Sequence, residues 1–534
     1  MIKLRPGRGG LKLSWSERDV ERMVSILGAD YAERQQAPVL WSIAKAAERR
    51  GLRLNPEVLE HLATAKEMRK AFKLIKALKD APGLPGLFPH QRVDVAYFEA
   101  TKFPAYLLAH SPGVGKTLPA ILWAERCVGF SEGRILVVTP NSAKLQWRDE
   151  IRRWQGLEHP ITIVEGTSAE QILKAQKDGW VIAHWESLVH ARFGFVTKPW
   201  DVVIADEAHN IQNRKAQRSN TLFDLDAKFR IALTAHPYTN SPDELWSILH
   251  WLYPEKFNAF WRFWGMHVKA TPKRFGGYEI TGTRRPKLLQ WEISPFVLRR
   301  TKKELGWIEP RRIKRMVQLS TRGRKEYEKL KKEFFVELEA HKNHTKVLAI
   351  PSVLARVTRL RQYLIDPALL GAKEKSIKFP VISELLRELD GPPVIFTQYA
   401  AALQNLAAHL IKQKKRIGYI YGSISTKERA RAKKQFLAGT LDALLITSAG
   451  GEALNLGKWG NVVFLDLPWN PRGVEQVEGR VDRPEEGTGH RVPTTSYRIV
   501  VEDSYEERME EKINKKHGMF SEVFTIANLK ELFA

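Results

Sequence analysis

The chain has only one cysteine, Cys127, among its 534 residues. A disulfide needs two cysteines, and zinc ribbons and CxxC sites need several, so both kinds of cross-link are excluded within the chain. Cys127 lies in an apolar stretch that includes Leu122, Trp123 and Val128, and we interpret it as a core residue.

Long apolar runs are also lacking. No stretch approaches the roughly 18 apolar residues that a membrane span needs. The basic segment from Met1 to Trp15 does not have the apolar region of a signal peptide. Neither an internal repeat nor a low-complexity tract is recognisable. We therefore expect no membrane segment and a cytosolic protein of a prokaryotic or phage-infected cell, or a nuclear protein in a eukaryotic host.

Acidic residues are few relative to basic ones. Lys and Arg number 86 against 60 Asp and Glu, which gives a net charge of +26 and a pI near 9.9. Such an excess favours a polyanionic partner, above all nucleic acid. The alternative from charge alone is an ordinary soluble protein from a basic proteome.

The order of predicted elements indicates an α/β protein with an N-terminal addition. Residues 11–80 have helical apolar spacing, and the breaker cluster Ala81–Gly86 follows them. The lysines of this region either form a solvated helix face or contact DNA. Ten continuous apolar runs then alternate with helical stretches, as in parallel sheets that are buried on both faces. The runs are 106–108, 135–138, 181–183, 202–204, 231–233, 394–396, 418–420, 443–446, 462–465 and 497–500.

Two series of such units predict two α/β lobes separated by a region rich in helix formers. We predict a helical basic accessory domain at 1–85 and an ATP-binding lobe at 86–300. A linker with a helical insertion is expected at 301–390, and a second lobe with a C-terminal brace helix at 391–534.

A candidate phosphate loop, Ser111–Thr117, follows a predicted strand and opens a predicted helix. Glycines allow the backbone to approach phosphates, and the helix N-terminus favours negative charge. Lys116 is expected on the β- and γ-phosphates, and the Thr117 hydroxyl on Mg²⁺. The full consensus has glycine where this chain has His110, so the match is partial. The predicted nucleotide-binding residues of the loop are Gly113, Val114, Gly115, Lys116 and Thr117.

Asp206 and Glu207 directly follow another apolar run. A strand that ends in two carboxylates suits Mg-nucleotide hydrolysis. Asp206 is predicted to hold Mg²⁺, and Glu207 to orient and deprotonate the attacking water. An ordinary acidic loop is the alternative, and the upstream Lys116 weighs against it.

Arg480 and Arg483 stand three residues apart and would share one face of a helix. Such a pair can act as arginine fingers on a γ-phosphate. A solvated basic turn is the alternative and, for this segment by itself, the more common case.

Several further segments carry a family resemblance. Leu233–Asn240 followed by Glu244–Ser247 is similar to the LTGTP and ELWS motifs of the Swi/Snf family, within helicase superfamily two. Phe296–Lys302 resembles its RRTK linker, Trp469–Pro471 its WNP run, and Leu87–Gln91 its adenine-reading motif. The resemblance covers residues 86–515.

The resemblance implies two RecA-like lobes that bind ATP and Mg²⁺ and act on duplex or forked DNA through its backbone. Because the chain supplies both arginines itself, a monomer would be sufficient. Gln91 would contact adenine, and Gln476 would join Lys116, Glu207, Arg480 and Arg483 in catalysis. The positions that the resemblance assigns to DNA contact are Thr139, Asn141, Lys144, Gln398, Thr447 and Ser448.

The chain departs from the family in three motifs. His236 replaces threonine in the LTGTP motif, Ala453 replaces glycine beside an added Glu452 in the GGxGxN motif, and Asp482–Glu486 stands where the family has HRIGQ. The implied function is an ATP-dependent double-stranded-DNA translocase that remodels forks, anneals strands or displaces proteins. Three alternatives stay open: a strand-separating helicase on branched DNA or RNA, the motor subunit of a nuclease or restriction system, and a non-catalytic DNA-binding scaffold. The segment His341–His344 resembles an HNH nuclease only superficially.

Overall fold

The structure is a computed structural model that describes residues 4–7, 10–13, 86–129, 133–155, 160–238, 241–272, 278–340, 351–422, 424–447, 454–468, 471–483 and 491–515. Residue contacts divide the chain into two compact units. Unit 1 comprises Met1–His110, Gly115–Thr139 and Glu150–Arg300, and unit 2 comprises Ser111–Val114, Pro140–Asp149 and Thr301–Ala534. Within the described residues, we find no helix with the length and apolar character needed to span a membrane.

Unit 1 is built on a seven-stranded parallel sheet in the order β11-β3-β8-β7-β4-β6-β5. Its central strands are buried on both faces, and for this reason their sequences are unbroken apolar runs rich in valine, isoleucine and leucine. Two further pairs, β1 with β2 and β9 with β10, are antiparallel. The strands are β1 (Leu4–Gly7), β2 (Gly10–Leu13), β3 (Ala105–Leu108), β4 (Arg134–Thr139), β5 (Ile161–Ile163), β6 (Gly179–His184), β7 (Trp200–Asp206), β8 (Ala227–Leu233), β9 (Val268–Pro272), β10 (Tyr278–Thr283) and β11 (Val297–Leu298).

Helices connect the parallel strands of unit 1, as βαβ crossovers require. Each loop that leaves the carboxyl end of a strand therefore opens on the same edge of the sheet. The helices are α1 (Pro89–Thr101), α2 (Thr117–Val128), α3 (Lys144–Gln155), α4 (Ser168–Ala175), α5 (Trp185–His190), α6 (Arg192–Val196), α7 (Gln217–Phe223), α8 (Glu244–Leu252), α9 (Phe260–His267) and α10 (Pro286–Ile293).

Unit 2 has a six-stranded parallel sheet in the order β12-β17-β16-β13-β15-β14. Successive residues of one strand face opposite sides, so Val394 and Phe396 join one apolar cluster while Ile395 joins the other. Its elements are β12 (Arg311–Val317), α11 (Thr321–Ala340), α12 (Pro351–Ile365), α13 (Lys378–Glu388), β13 (Val394–Phe396), α14 (Ala400–Lys412), β14 (Ile417–Ile420), α15 (Thr426–Leu437), β15 (Ala443–Ile446), β16 (Asn461–Phe464), α16 (Pro471–Val481), β17 (Thr495–Val501) and α17 (Tyr505–Lys515).

The predicted fold class is confirmed, because two parallel sheets flanked by helices form the two units. Nine of the ten apolar runs lie entirely on strands, and the run 462–465 extends one residue past β16. The helical prediction was wrong in two places. Residues 11–13 belong to β2, and β12 crosses the predicted helical insertion. Strand β12 escaped detection because its sequence, RRIKRMV, lies at a sheet edge and has neither a long apolar run nor a strict alternation of polar and apolar residues. The predicted helices at 14–80 lie outside the described residues, and the predicted domain boundaries stay predictions.

Candidate active site

The candidate phosphate loop connects β3 to α2 at the carboxyl edge of the sheet of unit 1. Gly113 and Gly115 have φ values of +83° and +89°, in the left-handed region that favours glycine. A Cβ on Gly115 would lie only 2.6 Å from the Gln91 side-chain nitrogen. Both glycines are therefore required by the backbone conformation, and Gly115 also by the close approach of a neighbour.

Gln91 links the start of α1 to this loop. Its Oε1 accepts a hydrogen bond from the Phe88 amide at 2.9 Å, and its Nε2 donates to the Gly115 carbonyl at 2.9 Å. A glutamine amide has two donor hydrogens and two acceptor lone pairs. One donor hydrogen and one acceptor lone pair are therefore not used in these two bonds. An adenine edge requires one donor and one acceptor of this kind.

Lys116 follows the glycines at the junction with α2. Its ammonium donates to the carbonyl of His110 at 3.1 Å, so the side chain folds back over its own loop. A backbone carbonyl offers a lysine much less electrostatic stabilisation than a polyphosphate does. The ammonium is thus already held within the loop that would receive phosphates.

A buried polar cluster lies beneath the phosphate loop, and no sequence pattern pointed to it. His110 Nε2 lies 2.8 Å from Asp94 Oδ2, and Arg300 donates to Asp94 Oδ1 at 2.9 Å. Burial by itself would raise the pKa of Asp94, but the hydrogen bond and charge of His110 and the charge of Arg300 outweigh burial and hold it below its usual value. The residue that departs from the loop consensus is therefore a structural partner of α1.

Asp206 ends β7, two strands away from β3 in the sheet. Its Oδ2 accepts a hydrogen bond from the Thr139 hydroxyl at 2.8 Å, and its Oδ1 accepts one from the Glu207 amide at 3.0 Å. Trp185 Nε1 donates to its backbone carbonyl at 3.2 Å. These contacts orient the carboxylate at the strand end.

The position of Thr139 departs from its predicted role as a DNA contact. The residue is fully buried at the end of β4, and its hydroxyl is bonded to Asp206. A side chain in that position has no surface to offer to DNA. Thr139 contacts Asp206, the predicted metal-binding carboxylate, because β4 pairs with β7. This pairing brings together two residues that are 67 positions apart in the sequence.

Glu207 has an unusual backbone conformation, with φ 50° and ψ 51°. A non-glycine residue in this left-handed region is strained by about 1 kcal/mol or more. The strain is supported locally, because the Glu207 carbonyl accepts hydrogen bonds from the amide and the side chain of Asn210 at 3.0 and 2.9 Å. Its Oε2 lies 3.0 Å from His209 Nδ1. The turn thus fixes the direction in which the predicted general base leaves β7.

The segment after Glu207 is bonded to the segment that departs from the LTGTP motif. Gln212 Nε2 donates to the carbonyl of His236 at 3.1 Å, and the His236 amide donates to Thr234 Oγ1 at 3.1 Å. Both bonds involve the backbone of His236. The replacement of threonine by histidine is therefore compatible with the bond between the two segments and with the bond inside the LTGTP-like segment.

In unit 2, the predicted arginine pair does not share a helix face. Arg480 lies near the end of α16 and is buried, but α16 ends at Val481, so Arg483 lies beyond it. Arg483 Nε turns back to donate to the Gly479 carbonyl at 2.8 Å. Gln476 is half-buried on the same helix. The prediction of a common helical face was wrong, since it assumed that the helix continued.

The two carboxylates of this segment are tied to other elements of unit 2. The Asp482 carboxylate accepts hydrogen bonds from Lys302 of the RRTK-like segment and from Arg491. The Glu478 carboxylate accepts hydrogen bonds from Arg312 Nη2 at 2.9 Å and from Arg312 Nε at 3.2 Å. These contacts fix the direction of the chain around Arg480.

The remaining positions predicted to contact DNA differ in exposure. Asn141 is exposed, whereas Lys144 and Thr447 are buried. Gln398 is half-buried, with its amide bonded to Asp466 at 3.0 Å and its side chain donating to the Leu467 carbonyl at 3.2 Å. Ser448 lies outside the described residues, as do Ala453 and Glu452. The roles of these positions stay predictions.

Thr117 and Asp206 offer the donor atoms that Mg²⁺ prefers, a hydroxyl and a carboxylate. The Asp206 carboxylate accepts hydrogen bonds from the Thr139 hydroxyl and the Glu207 amide, and its two oxygens have about four lone-pair sites in all. Asp206 ends β7, and Thr117 begins the helix after the loop that leaves β3, so both lie on the carboxyl edge of the sheet. The donor set therefore fits a magnesium ion that is shared with a nucleotide substrate.

Comparison with protein families agrees with this geometry. The model of the SNF2-related domain matches residues 35–369, and the model of the helicase conserved C-terminal domain matches residues 377–485. The chain belongs to the SNF2 family. The Swi/Snf resemblance is thereby confirmed, and with it membership in a family of helicase-like ATPases within superfamily two.

The curated relatives are long proteins of which this SNF2 chain covers a part. Chromodomain-helicase-DNA-binding protein 1 of Homo sapiens is 28% identical over 77% of the chain and 25% of its own length. The ISWI chromatin-remodeling complex ATPase ISW1 of Saccharomyces cerevisiae is 27% identical over 77% of the chain and 38% of its own length. The DNA annealing helicase and endonuclease ZRANB3 of Homo sapiens is 27% identical over 74% and 37%, respectively.

Among solved structures, the Sulfolobus solfataricus SWI2/SNF2 ATPase core in complex with double-stranded DNA is similar at 23% identity and a TM-score of 0.40. That match covers 84% of this chain and 94% of the solved chain. The ATPase core domain from the same organism is similar at 22% identity and a TM-score of 0.37.

Proposed function

We propose that this SNF2-family chain hydrolyses ATP in response to double-stranded DNA and uses the cycle to move along the duplex. The observation that carries the proposal is the gathering of a lysine and two carboxylates on one sheet edge. Lys116 follows β3, Asp206 ends β7 and Glu207 follows it, in the same parallel sheet. Phosphate binding and water activation need this combination of charges.

Each side chain has a distinct task in this proposal. Lys116 exchanges the His110 carbonyl for the β- and γ-phosphates of ATP, and Gln91 hydrogen-bonds the adenine edge. Thr117 and Asp206 would hold Mg²⁺, which when bound neutralises charge on the transferred phosphate. Glu207 accepts the proton of the attacking water, from a position set by Asn210 and His209.

The net positive charge and the family membership of the chain support DNA as its partner. The chain carries a net charge of +26, which suits a phosphate backbone. The names of two relatives describe a DNA-binding helicase and a DNA annealing helicase. Family membership favours duplex tracking over strand separation, because the ELWS- and RRTK-like segments are those of the Swi/Snf family. Fork remodelling, strand annealing and protein displacement are the uses that such a motor would serve.

In unit 2, Arg480 and Arg483 are the proposed arginine fingers. Their charge would stabilise the transition state of phosphoryl transfer, an effect worth about 10³–10⁵ in rate in other motors. The contacts of Lys302 and Arg491 with Asp482 would keep this segment in a defined conformation.

The test is the steady-state ATPase rate of the full chain without nucleic acid and with duplex, forked and single-stranded DNA and with RNA. Wild type should respond most to duplex or forked DNA. Glu207→Gln and Lys116→Ala should both lose the stimulated rate. Glu186→Gln, which changes an exposed carboxylate on α5, serves as the matched control and should keep it.

Each outcome of this assay has a clear meaning. Stimulation by RNA or single strands, with none by duplex, would favour a strand-separating helicase instead. No turnover with any nucleic acid would reject the proposal. Binding to the backbone should also weaken by at least about tenfold between 50 and 200 mM salt, and a flat salt response would speak against a phosphate-dominated grip.

A further inference from the structure

A groove of about 640 Å³ lies on unit 1 beside the segment that follows Glu207. One wall consists of residues from His209 to Arg218, and the other comes from α9 and the hairpin β9–β10. Clefts that hold ligands commonly have volumes of about 300–1,000 Å³. The groove is thus large enough for a ligand, and none of the residues assigned to nucleotide or DNA contact lines it.

Aromatic rings form the second wall. Trp261 is 67% exposed and Tyr278 is 58% exposed, although large aromatic side chains are usually covered. The ring of Trp264 lies between them, with centroids 5.9 Å from Trp261 and 5.0 Å from Tyr278. The three rings make a continuous aromatic surface that opens onto the groove.

Cationic side chains stand opposite these rings. Arg214, Lys215 and Arg218 line the first wall, and the Arg214 guanidinium lies 3.9 Å from the centroid of the Phe260 ring. Arg218 Nε is buried and has no hydrogen-bond partner among the described residues. Asp243 and Glu244, at the start of α8, are the two carboxylates of the lining. Cations therefore outnumber carboxylates in the groove.

We propose that this aromatic and cationic groove binds a segment of single-stranded nucleic acid, by stacking its unpaired bases on Trp261 and Tyr278. Exposed rings beside guanidinium groups are the features by which proteins hold unpaired strands, since every base has a face to stack and every nucleotide a phosphate. An intact duplex hides its base faces within the helix. The rings consequently select unpaired nucleotides, and the cations favour a polyanion over an apolar peptide.

The groove is connected to the candidate general base. His209 lines the groove, and its Nδ1 lies 3.0 Å from Glu207 Oε2. Asn210, which also lines the groove, bonds the Glu207 carbonyl through its side chain. A strand seated there touches two residues that orient Glu207, so its arrival alters the ATPase rate. This consequence rests on the proposed function, whereas the binding of the strand does not.

The binding test measures the affinity of the full chain for a fluorescent thymidine strand of about 16 nucleotides, a uridine strand of equal length and a blunt duplex. Trp261→Ala and Tyr278→Ala should each weaken binding of the thymidine strand by about tenfold, because each removes one stacking platform. Trp261→Phe, which keeps an aromatic ring at this position, should retain most of the wild-type affinity for the thymidine strand. Phe193→Ala, which removes a ring that is 65% exposed elsewhere on unit 1, is the matched control.

Blunt-duplex affinity and the duplex-stimulated ATPase rate should stay unchanged in all four variants. Equal losses on thymidine and uridine strands identify the ligand as single-stranded nucleic acid of either sugar, and a loss on one alone identifies which. Unchanged single-strand affinity in both alanine variants overturns the groove proposal, and so does an equal loss on blunt duplex. Failure of the proposed function is a separate result, namely a wild type that lacks duplex-stimulated ATPase.

A strand in the groove should also show in the ATPase rate. Forked DNA with an unpaired arm should stimulate wild type more than blunt duplex of the same length does. Trp261→Ala should reduce the rate with the fork to the rate with the blunt duplex. A fork rate that Trp261→Ala leaves intact would disprove the link to Glu207, even if strand binding is lost.

Discussion

His110 Nε2 lies 2.8 Å from Asp94 Oδ2, with both side chains fully buried beneath the phosphate loop. Arg300 donates to the other oxygen of the same carboxylate at 2.9 Å. Asp94 thereby joins α1, the loop and the strand end near β11. The histidine at the glycine position of the loop consensus is thus part of a buried polar cluster. Loss of Asp94 would leave the buried His110 and the part-buried Arg300 without the carboxylate that they share.

Asp94→Ala should destabilise unit 1. Removing one partner of a buried ion pair costs about 3–5 kcal/mol, because the remaining groups stay desolvated. Hydrogen exchange of the amides in α1 and β3, followed as urea is raised, reports this local free energy. Arg192→Ala removes one side of an exposed pair with Asp224 and should change the free energy by less than about 1 kcal/mol. Equal effects of the two variants would contradict the prediction.

The contribution of Asp94 should depend on pH in one direction. Its pKa in the folded chain is held below the ordinary value, because His110 and Arg300 together outweigh the effect of burial. A carboxyl group whose pKa is lower in the folded state stabilises the folded state fully when the pH is above its pKa in the unfolded chain. It loses that contribution as the pH falls through its pKa in the folded chain. We expect the difference in urea midpoint between wild type and Asp94→Asn to be constant above about pH 5 and to shrink below about pH 4. A difference that widened on acidification would refute this.

The sheets could be predicted from sequence because their strands are buried on both faces. Ile135–Val138 is an unbroken apolar run in the middle of β4, and such a run has few other interpretations when turn residues bound it. The catalytic candidates were visible for a related reason. Lys116 and Glu207 follow strand ends, where parallel sheets collect their functional loops.

The side-chain partners could not be predicted, because they depend on pairings between distant segments. Thr139 meets Asp206 only since β4 lies beside β7, and Asp94 meets His110 only since α1 packs near the loop. A single sequence carries no record of such pairings. The end of α16 before Arg483 had a local signal in Pro484, which follows Arg483 directly, and the prediction of a common helical face did not take it into account.

Lys378 should be essential to the stability of unit 2. Its fully buried ammonium donates to both oxygens of Glu506 at 2.7 and 2.8 Å, and to the carbonyls of Leu465 and Ile499. Lys378→Ala should cost about 3–5 kcal/mol, measured by hydrogen exchange of α13 and β17 against urea. The double variant Lys378→Met with Glu506→Leu should recover part of this loss, since no unpaired charge remains.

The control for that experiment is Arg315→Ala, which breaks an exposed pair with Glu388 in the same unit. It should change the free energy by less than about 1 kcal/mol. A Lys378→Ala variant as stable as Arg315→Ala would show that the buried ion pair contributes little. A double variant less stable than Lys378→Ala would show that the charges themselves are required.

Cys127 should react slowly with thiol reagents. It is half-buried near the end of α2, and burial raises the pKa of its thiol to about 12, with the charge of Lys228 acting in the opposite direction. The thiolate is the reactive form, so at pH 8 the native chain should react at least about a hundredfold more slowly than a free thiol. Denaturation should restore the full rate, with Cys127→Ser as the blank. Rapid labelling of the native chain would contradict the burial of this thiol.

Thr139→Val should separate a role at the nucleotide from a role at DNA. The hydroxyl donates to Asp206 at 2.8 Å, and a hydrogen bond to a charged group contributes about 1.5–3 kcal/mol, so kcat for ATP hydrolysis should fall by at least about tenfold. The Mg²⁺ concentration for half-maximal activity should rise, because the carboxylate loses one group that orients it.

Duplex affinity of Thr139→Val should stay within about twofold of wild type, since the side chain is fully buried and reaches no DNA surface. Thr139→Ser keeps the hydroxyl and should restore both kcat and the magnesium requirement, which distinguishes the lost hydrogen bond from a packing defect. The opposite pattern, in which kcat at saturating DNA is intact while duplex affinity falls, would return Thr139 to the DNA-contact role that the family resemblance implied. It would mean that its bond to Asp206 has no part in catalysis, and that the orientation of the carboxylate proposed to hold Mg²⁺ depends on the Glu207 amide instead.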